Sequence, residues 1–218
     1  MPPKLLIFPL GGTGLEALDC LGKQYEFIGF IDDAPHKQGR HPQGFEVFSR
    51  AALARYPEAQ VLAVQGSPLN FRQRASVIQS LAIPPERFAT VIHPNAHISR
   101  YARLGYNTLI MAGVSISIGA SLGNHLCVLP NSVIHHDVGI GDYCIVGALV
   151  VIAGHTQVGK NCFIGSGSRL MHNIRVGEQV LVGLGSNVLS SVDSGLSVVG
   201  NPARPLGSTA PSTQEGNE

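Results

Sequence analysis

The chain has 218 residues and a formal net charge of +1, with charged residues at only 13%. That is about half the usual ~25% share, while glycine, at 26 residues, is roughly 12% of the chain against a usual ~7%. So little charge and so much glycine exclude a coiled coil or helical bundle, and 44% apolar residues exclude a disordered chain. Near-neutral charge without a basic stripe argues against a nucleic-acid binder. No run approaches the ~20 apolar residues of a membrane span, and the opening MPPKLLIFPLGG is too short for a signal segment. Four cysteines without close pairs suit free thiols in a reducing compartment, so a cytoplasmic location is expected.

In chain order, residues 4–9 (KLLIFP) read as a short buried strand, followed by Gly11-Gly12-Thr13-Gly14 and a helix over LEALDCLGK. A second strand runs from Tyr25 to Ile31 and ends in Asp32-Asp33. A helix is expected at 49–56, a strand at 60–65, then Gly66-Ser67 and a helix from Asn70 to Leu81. Strands alternating with helices imply a small parallel sheet, an α/β Rossmann-like domain over 1–90. A glycine loop between strand and helix can present backbone N–H groups to a phosphate. A carboxylate about 20 residues on, at Asp32, is placed for a ribose hydroxyl. Gly11, Gly12, Gly14, Asp32, Asp33, Gly66 and Ser67 are therefore the candidates for binding a nucleotide-linked substrate.

From Ile98 the chain becomes periodic. Every sixth residue (Ile98, Leu104, Ile110, Ile116, Leu122, Val128, Ile134, Ile140, Val146, Ile152, Val158, Ile164, Leu170, Val176, Val182, Val188) is Ile, Leu or Val. The position four later favours small or β-branched residues, among them Ala102, Thr108, Ser132, Cys144, Thr156, Cys162 and Ser168. Gly105, Gly123, Gly141, Gly159 and Gly177 recur every eighteen residues. Six inside eighteen describes a triangular prism: each hexapeptide is one side, three make a coil, and the aliphatics stack inward. The glycines suit turns that need a positive φ or lack room for a Cβ. An all-β parallel β-helix is expected over 91–206, with the polar 207–218 as a disordered tail. Residues 98–206 hold only six Lys or Arg and four Asp or Glu, so the prism explains the charge deficit. Cys144 and Cys162, eighteen apart, read as small packing residues. His125, His135, His155 and His172 read as solvent-facing turn residues.

Several motifs together (LGGTG at 10–14, FIDD at 30–33, VIHPNAHIS at 91–99, SVIHHDVGIGD at 132–142 and VVGNPARPL at 198–206) resemble the PglD/NeuD/PerB-like family of hexapeptide-repeat sugar N- and O-acetyltransferases. The resemblance covers about 1–206. It implies a left-handed coil, a homotrimer, an N-terminal domain that binds a nucleotide-linked sugar, and acetyl-CoA as co-substrate between neighbouring prisms. It also implies His136 as general base, oriented by Asp137. Gly154, eighteen residues after His136, would supply an amide to the oxyanion, with Ser166 and Gly185 further candidates for CoA contacts. The expected activity is N-acetylation of a UDP-, GDP- or dTDP-linked amino sugar for surface glycan synthesis. Sialic-acid-type O-acetylation and a non-catalytic trimeric sugar-nucleotide-binding scaffold are the alternatives. Pro9 and Thr13 stand where the family loop usually has Gly and His. No metal is expected: His136 and His172 share a corner two coils apart, roughly 10 Å at strand spacing, too far for one zinc ion of the γ-carbonic-anhydrase kind.

Overall fold

The computed structural model describes residues 1–206, and the polar stretch 207–218 lies outside them. The N-terminal part is built on one sheet. Its strands are Lys4–Phe8 (β1), Glu26–Ile31 (β2), Gly39–Arg40 (β3), Glu46–Phe48 (β4) and Gln60–Ala63 (β5), in the order β3-β4-β2-β1-β5. β1 pairs in parallel with β2 and β5, β2 pairs in parallel with β4, and β3 is antiparallel to β4. Leu5, Leu6 and Ile7 of the central β1 are fully buried, as a parallel strand covered on both faces requires. The crossovers are shorter than their sequences suggest. The expected first helix is Gly12–Glu16 (α1) followed by a 3-10 turn, Ala17–Cys20. The second shrinks to Ala52–Arg55 (α2), and the third is a 3-10 turn at Phe71–Gln73 leading into Arg74–Gln79 (α3). Strands of three to six residues need only a turn or two of helix to return the chain. β3 and β4 are two strands that the sequence pattern does not announce.

From Val91 the chain winds through three sheets, parallel except for a final antiparallel strand, Ala203–Pro205, at the edge of the first. One contains Val91–Ile92, Leu109–Ile110, Cys127–Val128, Ile145–Val146, Phe163–Ile164 and Leu181–Val182. The second contains His97–Ile98 through Val133–Ile134 to Asn187–Val188, and the third Arg103–Leu104 through Gly139–Ile140 to Arg175–Val176. Partners stand eighteen residues apart, as in Ile116↔Ile134, Ile134↔Ile152 and Ile152↔Leu170. Coil is tied to coil by backbone hydrogen bonds such as Val133 N to Val150 O (2.8 Å) and Val151 N to Ser168 O (3.0 Å). Of the periodic aliphatics, Ile110 to Val188 are buried. Ile98 and Leu104 are only partly so, because they belong to the first coil. Each buried Ile or Leu contributes roughly 1.5–3 kcal/mol. The register shortens at the end: Leu181 pairs with Ser197, not with residue 199.

The eighteen-residue glycines turn out to answer to space, not to φ. None of the five is among the residues of positive φ. A Cβ on Gly141 would lie 2.8 Å from Lys160 N, and one on Gly159 would lie 2.7 Å from Gly177 C. The left-handed positions at that corner belong to Asn107, His125, Tyr143, Asn161 and Gln179, with φ from 52° to 62°. Cys144 and Cys162 are buried small residues, with Cys162 N donating to Cys144 Sγ at 3.3 Å.

The N-terminal unit lies against the first of the three prism sheets. Outward-pointing Leu109, Cys127 and Ile145 share a buried cluster with Leu5, Ile7, Phe30 and Val64. Asn107 closes the seam: its Oδ1 accepts from Ala63 N (2.8 Å) and its Nδ2 donates to Ala63 O (3.0 Å). Arg74 is fully buried there. Its guanidinium donates to the carbonyl oxygens of Gln65 and His125, the latter at 2.8 Å from Nη2, and has no carboxylate partner among the described residues. His125 corrects an expectation. It is not a solvent-facing turn residue but is 4% exposed, stacked on Tyr143 at 4.5 Å and edge-on to Phe88 and Tyr106 at 4.9 Å. The docked unit covers that corner. Burial, reinforced by the Arg74 charge, pushes the His125 imidazole down to about 4.

A histidine held below its ordinary value binds its proton in the unfolded chain first. The stability it contributes is complete above about pH 6.5 and is lost as pH falls toward about 4, at up to roughly 1.4 kcal/mol per pH unit. Urea unfolding at pH 7, 5.5 and 4.5 should show this decline, and His125→Gln should flatten it.

Candidate functional site

Two sets of candidate residues occupy two separate places. The first lies at the carboxyl ends of β1 and β5. The parallel strands run in the order β4-β2-β1-β5, so the connections turn opposite ways between β1 and β5. An open α/β sheet leaves its ligand crevice at such a reversal. An open cleft is found there, lined by Pro9, Gly11, Gly12, Thr13 and Gly14 after β1 and by Val64, Gln65, Gly66, Ser67 and Asn70 after β5.

The glycines of this cleft have different physical reasons. A Cβ on Gly14 would sit 2.6 Å from Pro9 O and 3.2 Å from the Phe30 ring, so Gly14 lets α1 pack down on the sheet. Gly66 has φ +142°, and a Cβ there would strike Ile145 Cδ1 of the prism at 2.5 Å. Gly11 and Gly12 are unlike these: nothing lies within 4 Å of where a Cβ would be. No packing demand explains them, and the space they leave opens into the cleft. Ser67 uses its hydroxyl locally, donating to Asn70 Oδ1 at 3.0 Å.

The two aspartates stand apart from the cleft lining. Asp32 is 4% exposed. Its Oδ1 accepts from Ala34 N (2.9 Å), and its Oδ2 pairs with Lys37 Nζ (3.1 Å), which also donates to Leu10 O (3.1 Å). Lys37 thus ties Asp32 to the root of the glycine loop. Asp33 is held bidentately by one edge of the Arg50 guanidinium, Nε to Oδ1 at 2.6 Å and Nη2 to Oδ2 at 2.8 Å. Arg50 in turn donates to Ser80 O (2.8 Å).

The second place is the prism corner between Val133–Ile134 and Gly139–Ile140, where the second and third sheets meet. Here His136 Nδ1 and Asp137 Oδ2 are 3.0 Å apart. An ionised carboxylate only accepts, so the proton of this bond is assigned to Nδ1, and Nε2 carries the lone pair. Nε2 has no partner among the described residues. Asp137 adopts φ 57°, a left-handed turn that Asp tolerates. Its amide donates to Ile118 O at 3.1 Å, and its carbonyl accepts from Gln157 Nε2 at 3.2 Å.

Gly154 lies one coil beyond His136. A Cβ there would be 2.7 Å from both Cε1 and Nε2 of His136, so the imidazole rests over the Gly154 backbone only because residue 154 has no side chain. The Gly154 carbonyl accepts from Asn173 N at 3.1 Å, and its N–H has no acceptor among the described residues. His155, read from sequence as a bystander, joins this group. Its ring meets that of His136 edge-on, centroids 4.9 Å apart, and its Nδ1 is 3.8 Å from Asp137 Oδ2. The signal was available, because residue 155 is one eighteen-residue step from Asp137. Ser166 and Gly185 are not brought to this corner. They flank a different one, where Ser166 Oγ accepts from Ala148 N (3.0 Å) and Gly185 N donates to Ser166 O (2.9 Å).

No family model and no curated protein sequence matches the chain. Solved structures do. The acetyltransferase domain of PglB from Neisseria gonorrhoeae FA1090 is 26% identical, with 93% of this chain and 99% of that chain covered and a TM-score of 0.81. PerB from Caulobacter crescentus, solved with CoA and GDP-perosamine, is 24% identical over 94% of this chain and 97% of that chain, TM-score 0.83. WeeI from Acinetobacter baumannii AYE is 22% identical over 93% of this chain and 99% of that chain, TM-score 0.70. The fold, sheet unit and prism together, is shared with these proteins across nearly the whole chain.

The glycine geometry separates packing from ligand space. Gly14→Ala should lower stability by roughly 1–3 kcal/mol, whereas Gly11→Ala should stay within about 0.5 kcal/mol of the parent. Chemical denaturation of the two variants checks both.

Proposed function

We propose that the chain is an acetyl-CoA-dependent N-acetyltransferase acting on a nucleotide-linked amino sugar, working in the cytoplasm on precursors of surface glycans. One observation carries the reading. At an exposed corner, His136 is oriented through Nδ1 by Asp137, with Nε2 free directly above a side-chain-free backbone. That is the arrangement a general base needs. It occurs in a fold shared with the PglB acetyltransferase domain and with PerB, which was solved with CoA and GDP-perosamine.

The roles follow from the geometry. An ammonium acceptor must shed its proton to attack, and the amine then loses a second proton as the new C–N bond forms. His136 Nε2 accepts that proton, and Asp137 stabilises the resulting imidazolium. The thioester carbonyl gains negative charge in the same step, and the Gly154 N–H beside His136, without an acceptor among the described residues, is the backbone donor assigned to it. Collapse of the tetrahedral intermediate expels CoA thiolate and leaves the amide. The nucleotide end belongs in the β1/β5 cleft, where Gly11 and Gly12 leave room for phosphate oxygens beside backbone N–H groups, with Gly14, Gly66 and Ser67 shaping the wall. Asp32, anchored to the loop through Lys37, and Asp33 lie at its margin.

Within one chain these halves do not meet. The cleft abuts the first prism sheet through the Gly66–Ile145 approach, while His136 stands at the opposite corner, where the other two sheets join. A neighbouring chain must complete the site. Exposed apolar side chains stand beside the uncovered sheets, Ile118 next to His136 and Leu149 and Leu184 at the adjoining corner, among polar ones such as Gln157, Arg169 and Arg175. A homotrimer of prisms buries them and brings one chain's His136 corner toward another's cleft, with acetyl-CoA in the groove between, reaching Ser166 and Gly185 from a second chain.

With acetyl-CoA and GDP-, UDP- or dTDP-linked amino sugars, thiol release should require both substrates. His136→Ala should lower kcat by about 10²–10⁴-fold with acetyl-CoA affinity retained. Asp137→Asn should lower kcat less, and Gly154→Ala should lower it by displacing the His136 ring. Full turnover by His136→Ala at saturating acceptor would refute the assignment.

A further inference from the structure

We propose that His136, Asp137 and His155 form a binding site for a divalent transition-metal ion of the zinc class, and that the bound ion blocks acetyl transfer. The second half rests on the function proposed above, whereas the first rests on geometry alone. One nitrogen from each imidazole and one Asp137 oxygen all lie within 4.8 Å of one another. Asp137 Oδ2 is the hub, 3.0 Å from His136 Nδ1 and 3.8 Å from His155 Nδ1. Zinc bonds of about 2.0–2.2 Å set tetrahedral ligand atoms roughly 3.3 Å apart, between the two observed separations. Two imidazoles and a carboxylate suit zinc better than magnesium or calcium, which prefer all-oxygen sites. Three protein ligands leave a fourth position for water.

The fold holds the three groups in place. Asp137 and His155 occupy the same turn position in successive coils, with φ 57° and 61°, and His155 N donates to His136 O at 3.1 Å. All three side chains are about half exposed, between 49% and 55%, so an ion reaches them from solvent. His172, one coil past Gly154, is outside the cluster.

Blocking follows from proton positions. When an ion takes the Nδ1 lone pair of a neutral imidazole, the ring proton resides on Nε2. His136 Nε2 then has no lone pair with which to accept a proton from the amine, and Asp137 is committed to the ion. Binding shifts the tautomer and involves no redox change.

The test is a titration of the full chain with Zn²⁺ in competition with a chromophoric chelator. One ion per chain is expected. His155→Ala should weaken binding at least tenfold, and His135→Ala and His172→Ala should leave it within twofold. In parallel, Zn²⁺ should inhibit acetyl transfer over the same concentration range, with activity restored by chelator and at least tenfold more ion needed for His155→Ala. Absence of stoichiometric binding, or binding indifferent to His155→Ala, overturns the site. Binding as expected in a chain without acetyl transfer supports the site and defeats the functional reading. Binding as expected without inhibition of an active enzyme overturns the blocking role.

Discussion

The structure depends on one constraint, the coil-to-coil register of eighteen residues. A two-residue strand cannot stand alone in water. Each one here persists because its amides bond to the carbonyls of the next coil and its inward aliphatic stacks on the one eighteen residues away. A slip of one residue would turn every aliphatic outward. The register therefore fixes the height of every turn, and with it the residues that stand above one another at each corner.

The candidate chemistry is a product of those columns. Ile118, His136, Gly154 and His172 form one, and Gly119, Asp137, His155 and Asn173 form the next. Glycine at 154 gives the His136 ring a floor, and glycine at 119 leaves room for the Asp137 carboxylate, since a Cβ there would collide with its Oδ1. The sheet unit imposes a second restriction. It covers the first prism sheet through Leu109, Cys127 and Ile145, with Arg74 and Asn107 closing the seam by hydrogen bonds to backbone. The proposed acceptor cleft and the proposed base are thereby held on opposite sides of the prism within one chain.

The prism was legible in the sequence because its interior leaves no choice: a position that faces inward in every coil must be aliphatic in every coil. The end of the prism was not: the β-helix is expected to 206 from the sequence, whereas the structure shortens the register after Val182, where Leu181 pairs with Ser197. The sheet unit was less so. β4 is three residues long and β3 two, below the length at which a pattern can be recognised, and the helices are set by packing and not by periodicity. His125 reads as a turn residue in its own coil, and its burial comes with the docking of Phe88, 37 residues earlier in the chain. Asp32 shows the limit of motif spacing: it stands where a ribose ligand would, yet its oxygens already serve Ala34 N and Lys37. His155 was readable by the eighteen-residue step from Asp137, the same step that relates Gly154 to His136.

The central claim is that one active site draws its base from one chain and its cleft from another. The most direct measurement mixes two variants, each inactive alone: His136→Ala, which lacks the base, and Gly11→Glu, which fills the cleft at a position with open space around it. After dissociation and reassembly, with exchange verified by tags, the mixture should recover about a quarter of the parent activity, the fraction of junctions in random oligomers that pair an intact corner with an intact cleft. Activity that stays at the level of the separate variants would contradict the account, because it would place both halves of the site within a single chain.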